Sequence, residues 1–295
     1  MARIVAIIVL LAALPIRSEQ QIAFTHQHDG DLEVCLIDAS GRQHLRLTES
    51  HGSDSQPAWT ADGEVIAFVS DRSGMPSIWI MQSDGSRQRQ AHGVSALSST
   101  EGLRNPSWSS DGKLAYFAQV DNGSPGSAWY QDSIPGDAKE LAILGANPWR
   151  LLSVFWGPNG NSIAITSAVP DGANWPGRGA LTSWLFDDVV GNTATPLPVS
   201  NPSFSRDGTA VFDADGDLWV GGLFEGSFVN ITDSPEIAEA DPDWSQDGET
   251  IAYHAEGSIW ISRSDGTEAR MLVEGADPAW APMTDATGVD LTTWG

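Results

Sequence analysis

One phrase of sequence is written several times along this chain, and it constrains the fold more than any other feature. DPDWSQDGETIAYHAEGSIWISRSDG runs from Asp241 to Gly266, and a close copy, QPAWTADGEVIAFVSDRSGMPSIWIMQSDG, runs from Gln56 to Gly85. A period of about 40–50 residues is typical of a β-propeller with four strands per blade. The first half of the phrase, Pro-x-Trp-x-x-Asp-Gly or a variant of it, places an aromatic residue at Trp59, Trp108, Trp156, Phe204, Trp244 and, in a decayed copy, Trp280.

Each copy predicts one antiparallel sheet. The Trp segment predicts a first strand, and the Asp-Gly pair after it predicts a tight turn, because glycine supplies the positive φ that such turns need. In the last full copy, TIAYHA predicts the second strand, SIWISR the third and EARMLV the fourth. A sheet that is apolar on both faces must be covered on both sides, so no copy is expected to be stable without its neighbours.

The two ends of the chain are predicted to share a blade. Six segments match the first strand, the last of them at Trp280, and six match the second strand, the earliest being QIAF at Gln21. Pairing of the Trp280 strand with QIAF would close the ring and remove its open edges. The sequence therefore predicts an all-β fold, a six-bladed β-propeller with four antiparallel strands per blade, about 46 residues in each, and a terminal blade shared between the N- and C-termini.

The amino terminus predicts export. Residues Met1 to Ser18 combine a short positive start with the apolar run IVAIIVLLAALPI, which is typical of a secretory signal peptide. We therefore divide the chain into a signal peptide, 1–18, and a propeller, 19–295, that is periplasmic or extracellular and not inserted in a membrane after cleavage. An uncleaved anchor remains the alternative. Cys35 is the single cysteine, so no disulfide forms within the chain.

The charge of the chain excludes some partners. The sequence has 39 Asp and Glu against 15 Lys and Arg, a formal net charge of −24. Nucleic acid and anionic membrane surfaces are not expected to bind, since both need clustered basic residues. The acidity indicates a self-repelling, monomeric surface, or else a site for a cation or for a basic partner.

The repeats resemble those of a known family. PAWTADGEVIAFVSDRSG and PDWSQDGETIAY look like the WD-like propeller repeat of the periplasmic protein TolB and its relatives. The resemblance implies an exported scaffold that binds other proteins in the cell envelope. TolB carries an extra amino-terminal α/β domain, and related repeats in prolyl peptidases precede a hydrolase domain. Because the repeats here begin soon after the apolar run and end near the carboxyl terminus, neither domain is expected.

The sequence carries no convincing catalytic constellation. Gly-x-Ser-x-Gly and His-Glu-x-x-His are both absent, and we predict no catalytic residue, no cofactor and no metal. His26 and His28 lie two apart on a strand and could face the same way to bind a metal, joined at one rim by His254 and Asp213. Related propeller lyases use rim histidines and a metal, so a carbohydrate-binding or carbohydrate-cleaving propeller remains the alternative. The segment Asp213 to Asp217 resembles a calcium loop, but it aligns with the hairpins of the other copies.

The tryptophans divide into two groups. Ten occupy the first-strand or third-strand position of a repeat and are predicted to pack between blades, and Cys35 fills the third-strand position in the closing blade. Trp149, Trp175 and Trp294 have no repeat position, and loop order predicts that Trp149 and Trp175 lie close together on one rim. Because Trp and Arg are enriched at binding hot spots, we predict a binding site for a protein or a glycan at Trp149, Arg150, Trp175 and Arg178. The alternative is that both tryptophans close long loops onto the blade.

Overall fold

The computed structural model describes residues 20–42, 44–91, 101–120, 126–141, 150–157, 162–168, 181–186, 194–197, 200–222 and 227–282. These residues contain twenty-four β-strands. Among them, no helix has both the length and the apolar character needed to cross a membrane.

The described strands form six four-stranded antiparallel sheets, which we label blades A to F. Blade A contains Gln21–His28 (β1), Asp31–Asp38 (β2), His44–Arg46 (β3) and Ala276–Trp280 (β24). Blade B contains Asp54–Trp59 (β4), Val65–Ser70 (β5), Ser77–Gln82 (β6) and Arg89–Gln90 (β7). Blade C contains Glu101–Trp108 (β8), Leu114–Val120 (β9), Ser127–Gln131 (β10) and Lys139–Glu140 (β11).

The other three blades follow in the same order along the chain. Blade D contains Arg150–Trp156 (β12), Ile163–Ala168 (β13), Leu181–Phe186 (β14) and Ala194–Leu197 (β15). Blade E contains Ser200–Phe204 (β16), Thr209–Ala214 (β17), Asp217–Gly222 (β18) and Ser227–Asn230 (β19). Blade F contains Glu239–Trp244 (β20), Thr250–Ala255 (β21), Ser258–Arg263 (β22) and Arg270–Glu274 (β23).

The predicted all-β propeller is confirmed, and its blades are joined by apolar contacts between facing sheets. A core cluster of buried residues spans each successive pair of blades from A through F. A further cluster joins F back to A, where Ile22, Phe24 and Cys35 meet Ala252 and Ile259. Every sheet is thus covered on both faces, as its two apolar faces require.

The chain ends meet in blade A. Strand β24 pairs antiparallel with β1, with Ile22 opposite Trp280 and Ala23 opposite Ala279. The pairing predicted between the Trp280 strand and QIAF is therefore observed. The hairpin predicted at Asp213 to Asp217 is confirmed as well, because Ala214 lies opposite Asp217 across a two-residue turn.

The expectation that the blades have a similar size, about 46 residues, is wrong. Blade E runs only from Ser200 to Asn230, whereas blade D runs from Arg150 to Leu197. The difference lies mainly in the connections. Blade E joins its second and third strands through Asp215 and Gly216 alone, while residues 169–180 separate the same two strands in blade D.

The first strands carry a bulge that shapes the centre of the ring. In every blade the register of the first strand against the second shifts by an extra residue. In five of the blades, the residue before proline in the repeat has a positive φ at this bulge. These residues are Gln56, Asn105, Asn201, Asp241 and Asp277, with φ between 42° and 53°. Asn and Asp tolerate this conformation best among residues with a side chain, which explains their use at this position.

Candidate functional site

The first strands surround a cavity of about 400 Å³ at the centre of the ring. Its walls run from the bulge residues to the indoles at the strand ends and to Ala61 and Ser110 in the turns that follow. Lining residues from the described part of the chain include Gln56, Asn105, Asn201, Asp241, Asp243 and Asp277, and none of those lining residues is Lys or Arg.

Hydrogen bonds join neighbouring blades around this cavity. The Thr25 hydroxyl donates to Asp277 Oδ2 at 2.7 Å and accepts from the backbone N–H of Gln56 at 3.1 Å. The side-chain oxygen Oε1 of Gln56 in turn accepts from the backbone N–H of Asn105 at 3.0 Å. Asn201 Nδ2 lies 3.3 Å from Asp241 Oδ1. Gln56, Asn105, Asn201 and Asp241 are therefore each held by an adjacent blade, whereas Asp277 is held by Thr25 within blade A, and these bonds fix their positions before any ligand arrives.

The acidic groups gather on one side of the cavity. Asp241 lies on the wall, where solvent reaches it but protein encloses it closely. This enclosure, together with repulsion from Asp277 and Asp213, raises the pKa of Asp241 to about 7. At neutral pH, Asp241 therefore binds a proton readily or is stabilised in its charged form by a nearby cation.

Asp243 lies two residues farther along β20 than Asp241, and both of its carboxylate oxygens accept hydrogen bonds. The Ser203 hydroxyl donates to Oδ1 and the Trp280 amide donates to Oδ2, both at 2.7 Å. Burial raises the pKa of Asp243 to about 6, although these hydrogen bonds act in the opposite direction. Asp243 thus links blades E, F and A while contributing to the acidic side of the cavity.

The opposite side of the cavity is uncharged. Blades B and C present Gln56, Asn105 and Ser107 there, in the positions that Asp241 and Asp243 occupy in blade F. The cavity is therefore negatively charged on one side and neutral on the other. A ligand with a positive group on one side and hydrogen-bonding groups on the other matches this lining.

The structure brings His26 and His28 together. Their ring centroids lie 5.5 Å apart, and His44, which the sequence did not single out, lies 5.6 Å from His26. Asp213 acts on Asp241 at the cavity. No group of three or more His, Cys, Asp or Glu side chains in the described residues is arranged to hold a metal ion.

The predicted binding residues fall mostly outside the described residues. Trp149, Trp175 and Arg178 belong to segments that the structure leaves undescribed, and of Arg150 only the backbone is described. Arg150 lies opposite Ala168, which lies opposite Leu181. The segments 142–149 and 169–180 therefore both adjoin the same end of this sheet.

The polar ring of the cavity was not predicted from the sequence, since the recurring part of the repeat indicates the fold and not the lining. The signal was present in the residue before proline, which reads Gln, Asn, Asn, Asp and Asp in QPAW, NPSW, NPSF, DPDW and DPAW. A position that stays polar inside an apolar motif, and varies in charge, indicates a shared functional surface.

Comparison with known proteins agrees with this architecture. Residues 17–142 match the family model described as the TolB beta propeller domain. Residues 17–142 are therefore similar to the TolB propeller family. Its structure is similar to that of TolB from Acinetobacter baumannii, with a TM-score of 0.70 and 19% identity over 92% of this chain and 69% of that one.

Sequence relatives cover the propeller only in part. The TolB homolog of Chlorobium luteolum is 35% identical over 65 residues, which is 22% of this chain and 15% of the relative. The "Uncharacterized peptidase YuxL" of Bacillus subtilis is 24% identical over 211 residues, 69% of this chain and 29% of the relative. The chain thus spans less than a third of the length of these curated relatives.

A more distant structural likeness bears on the carbohydrate alternative. An oligogalacturonate lyase solved in complex with manganese has a TM-score of 0.57 and 12% identity, over 87% of this chain and 74% of that one. At this identity the likeness is one of fold alone.

Proposed function

We propose that this TolB-like propeller is an exported scaffold that binds a protein partner in the cell envelope, and that the partner inserts a basic segment into the central cavity. The single observation that carries the proposal is the pre-formed cavity with Asp241, Asp243 and Asp277 on one side. Its volume of about 400 Å³ falls within the usual range of ligand pockets.

The charge of the wall supports a cationic segment. Asp241 and Asp277 repel each other, and this repulsion contributes to the raised pKa of Asp241. An Arg or Lys side chain placed between them would relieve the repulsion and would gain charge-assisted hydrogen bonds. The amide and hydroxyl groups of Gln56, Asn105 and Ser107 on the other side suit the backbone of an extended peptide.

The acidic surface supports the same kind of partner at longer range. With a formal net charge of −24, the propeller attracts basic partners and repels acidic ones before contact. Such steering weakens as ionic strength rises, because salt screens charges beyond about 10 Å at 0.1 M. Association should therefore slow in high salt while the contacts inside the cavity persist.

The test uses short extended peptides with a central Arg, with citrulline in its place as the neutral control, measured by isothermal titration calorimetry. We expect the double variant Asp241→Asn with Asp277→Asn to weaken Arg-peptide binding about tenfold or more. The matched control, Glu140→Gln with Glu236→Gln, removes two exposed charges away from the cavity and should leave binding nearly unchanged. Equal weakening by both doubles would mean that only the overall charge matters, and this would contradict the cavity as the site.

Export rests on residues Met1 to Ser18, which lie outside the described residues. The proposal expects the mature chain to begin near Glu19. Amino-terminal sequencing of protein recovered from the periplasm or medium tests it, and a chain that keeps Met1 and sediments with membranes would overturn it.

A second contact surface is proposed at Trp149, Arg150, Trp175 and Arg178. The two segments that carry the tryptophans adjoin one end of the blade D sheet, and this supports a joint role. In the variant Trp149→Ala with Trp175→Ala, unchanged melting with weaker partner binding would support the surface. Lower melting with unchanged affinity would assign both residues to loop packing instead.

A further inference from the structure

Three histidines form a cluster in blade A, beside the strand that closes the ring. His26 and His28 project from β1 and His44 from β3. The ring of His26 meets the other two edge to face, with centroids 5.5 Å from His28 and 5.6 Å from His44. At these separations, charges placed on two of the rings would repel each other appreciably.

The cluster exists because blade A departs from the repeat. In blade B the third-strand position holds Trp79, paired with Phe68 on the second strand. In blade A the same pair is Phe24 and Cys35. The small side chain of Cys35 leaves room beside Phe24, and the rings of His44 and His26 lie there, with centroids 5.3 and 6.1 Å from that of Phe24.

The cluster is connected directly to the closing strand. His26 Nδ1 lies 2.9 Å from the carbonyl oxygen of Glu274, the last residue of β23. Only Gly275 separates Glu274 from β24. A Cβ atom at Gly275 would lie 2.6 Å from the Thr25 carbonyl oxygen and 2.7 Å from a ring carbon of Phe24. The link is therefore packed against β1, and a displaced His26 would move it.

Two acidic neighbours of the cluster are already engaged by other partners. Glu33 on β2, opposite His26, is buried and already paired with Arg46 of β3 at 2.6 Å. Asp277 of β24 accepts from Thr25. Other titratable or charged groups on the elements packed against the cluster include Asp31, which lies opposite His28, with Cys35 and Asp38 on β2, Asp54 on β4, Arg270 and Glu274 on β23, and His254 on β21.

We propose that the closing blade is the pH-sensitive joint of the propeller: protonation of the His26, His28 and His44 cluster in mildly acidic surroundings loosens the pairing of β24 with β1. The ring would then open at the junction of its two chain ends while the other blades stay paired.

The direction of the effect agrees with the environment of His44. Partial burial, with repulsion from His26 and His28, lowers the pKa of His44 below its ordinary value. A histidine whose pKa is lower in the folded state favours folding when it is neutral. Its contribution is therefore present above about pH 6.5 and is lost as the pH falls below that value.

Hydrogen exchange resolved by peptide, corrected for the intrinsic pH dependence of the exchange rate, tests the proposal. Between about pH 7.5 and about pH 5.5, protection of Ala276–Trp280 (β24) should fall about tenfold more than protection of Asp54–Trp59 (β4). In the double variant His28→Asn with His44→Asn, this difference should shrink to what the titration of Asp243, which accepts from the Trp280 backbone amide, contributes. The control His51→Asn, an exposed histidine outside the cluster, should behave as the wild type does.

Two outcomes would overturn the proposal. One is a wild-type protein in which β24 loses no more protection than β4. The other is a double variant that keeps the wild-type difference. If the double variant fails to fold, the single variant His44→Asn replaces it. This variant should partly reduce the extra loss of protection of β24 relative to β4. Asp241 and Asp243 titrate in the same range but are unchanged in every variant, so their effect cancels in the comparison.

Discussion

Blades A and B solve the same packing problem with different chemistry. In blade B, the Arg72 guanidinium lies 4.6 Å from the ring centre of Trp79 and donates to Asp54 at 2.6 Å. In blade A, Cys35 replaces the tryptophan, and histidines surround Phe24. An arginine keeps its charge at every physiological pH, whereas imidazoles change theirs near neutrality. The comparison teaches that the same position of the repeat can hold a charge that is independent of pH in one blade and groups whose charge depends on pH in the next.

The largest effect is expected from removing the closing strand. Deletion of Asp277 to Gly295 takes most of β24 from blade A and exposes the edge of β1, an unpaired edge that invites aggregation. We expect a loss of cooperative melting or insoluble protein. Calorimetry and sedimentation measure it, and a truncated chain that melts as the full chain does would show that closure adds no stability.

The next effect compares the third-strand positions directly. Trp79→Ala should cost about 3–5 kcal/mol of unfolding free energy, because it leaves a large cavity between blades A and B. Cys35→Ala removes only a sulfur atom and should cost about 1 kcal/mol. Urea unfolding of both variants checks the contrast. Similar losses would mean that blade A depends on its third-strand position as much as blade B does.

A smaller but clear effect is expected at the ion pair of blade B. Arg72→Ala leaves Asp54, which is fully buried, without its cation, and should cost about 3 kcal/mol. The double variant Arg72→Ala with Asp54→Asn should recover part of this loss. If the double variant is as unstable as the single one, the cost comes from lost packing on Trp79 rather than from the uncompensated charge.

The smallest effect concerns the two sides of the cavity. Because the pKa of Asp241 is raised in the folded state, the contribution of its protonated form to stability is present at low pH and is lost as the pH rises through about 7. Asp241→Asn should therefore stabilise the protein above pH 7, by about 1 kcal/mol after allowance for solvent screening. Asn105→Asp on the neutral side is the converse test. Melting curves at several pH values should show stabilisation only for the first variant.

Much of the fold could be predicted because the same strand and turn signals recur in several copies of the repeat. The Asp-Gly turns, the aromatic positions and the incomplete copies at the two ends indicate the strand order and the partner of β24. Blade size could not be predicted equally well. It depends on hairpin length, and the two-residue turn at Asp215 and Gly216 carries no information about the longer connection in blade D.

The candidate site was harder to predict for a physical reason. The polar ring combines single residues from different repeats, so no local motif contains it. His44 joins the histidine cluster because Cys35 is small. This contact depends on side chains from three strands, β1, β2 and β3, and no single stretch of sequence shows it. His26 and His28, two apart on one strand, were recognisable from alternation alone.

The bulge residues set a limit on how this cavity can vary. Each of Gln56, Asn105, Asn201, Asp241 and Asp277 has a positive φ, and β-branched or bulky side chains are disfavoured in that conformation. At these five positions, one in each blade except blade D, the lining therefore uses only amide and carboxylate side chains. Exchanging Asn and Asp at such a position changes the charge without changing the backbone. A lineage could thus adjust which partners enter by single substitutions, with the cores between the blades left untouched.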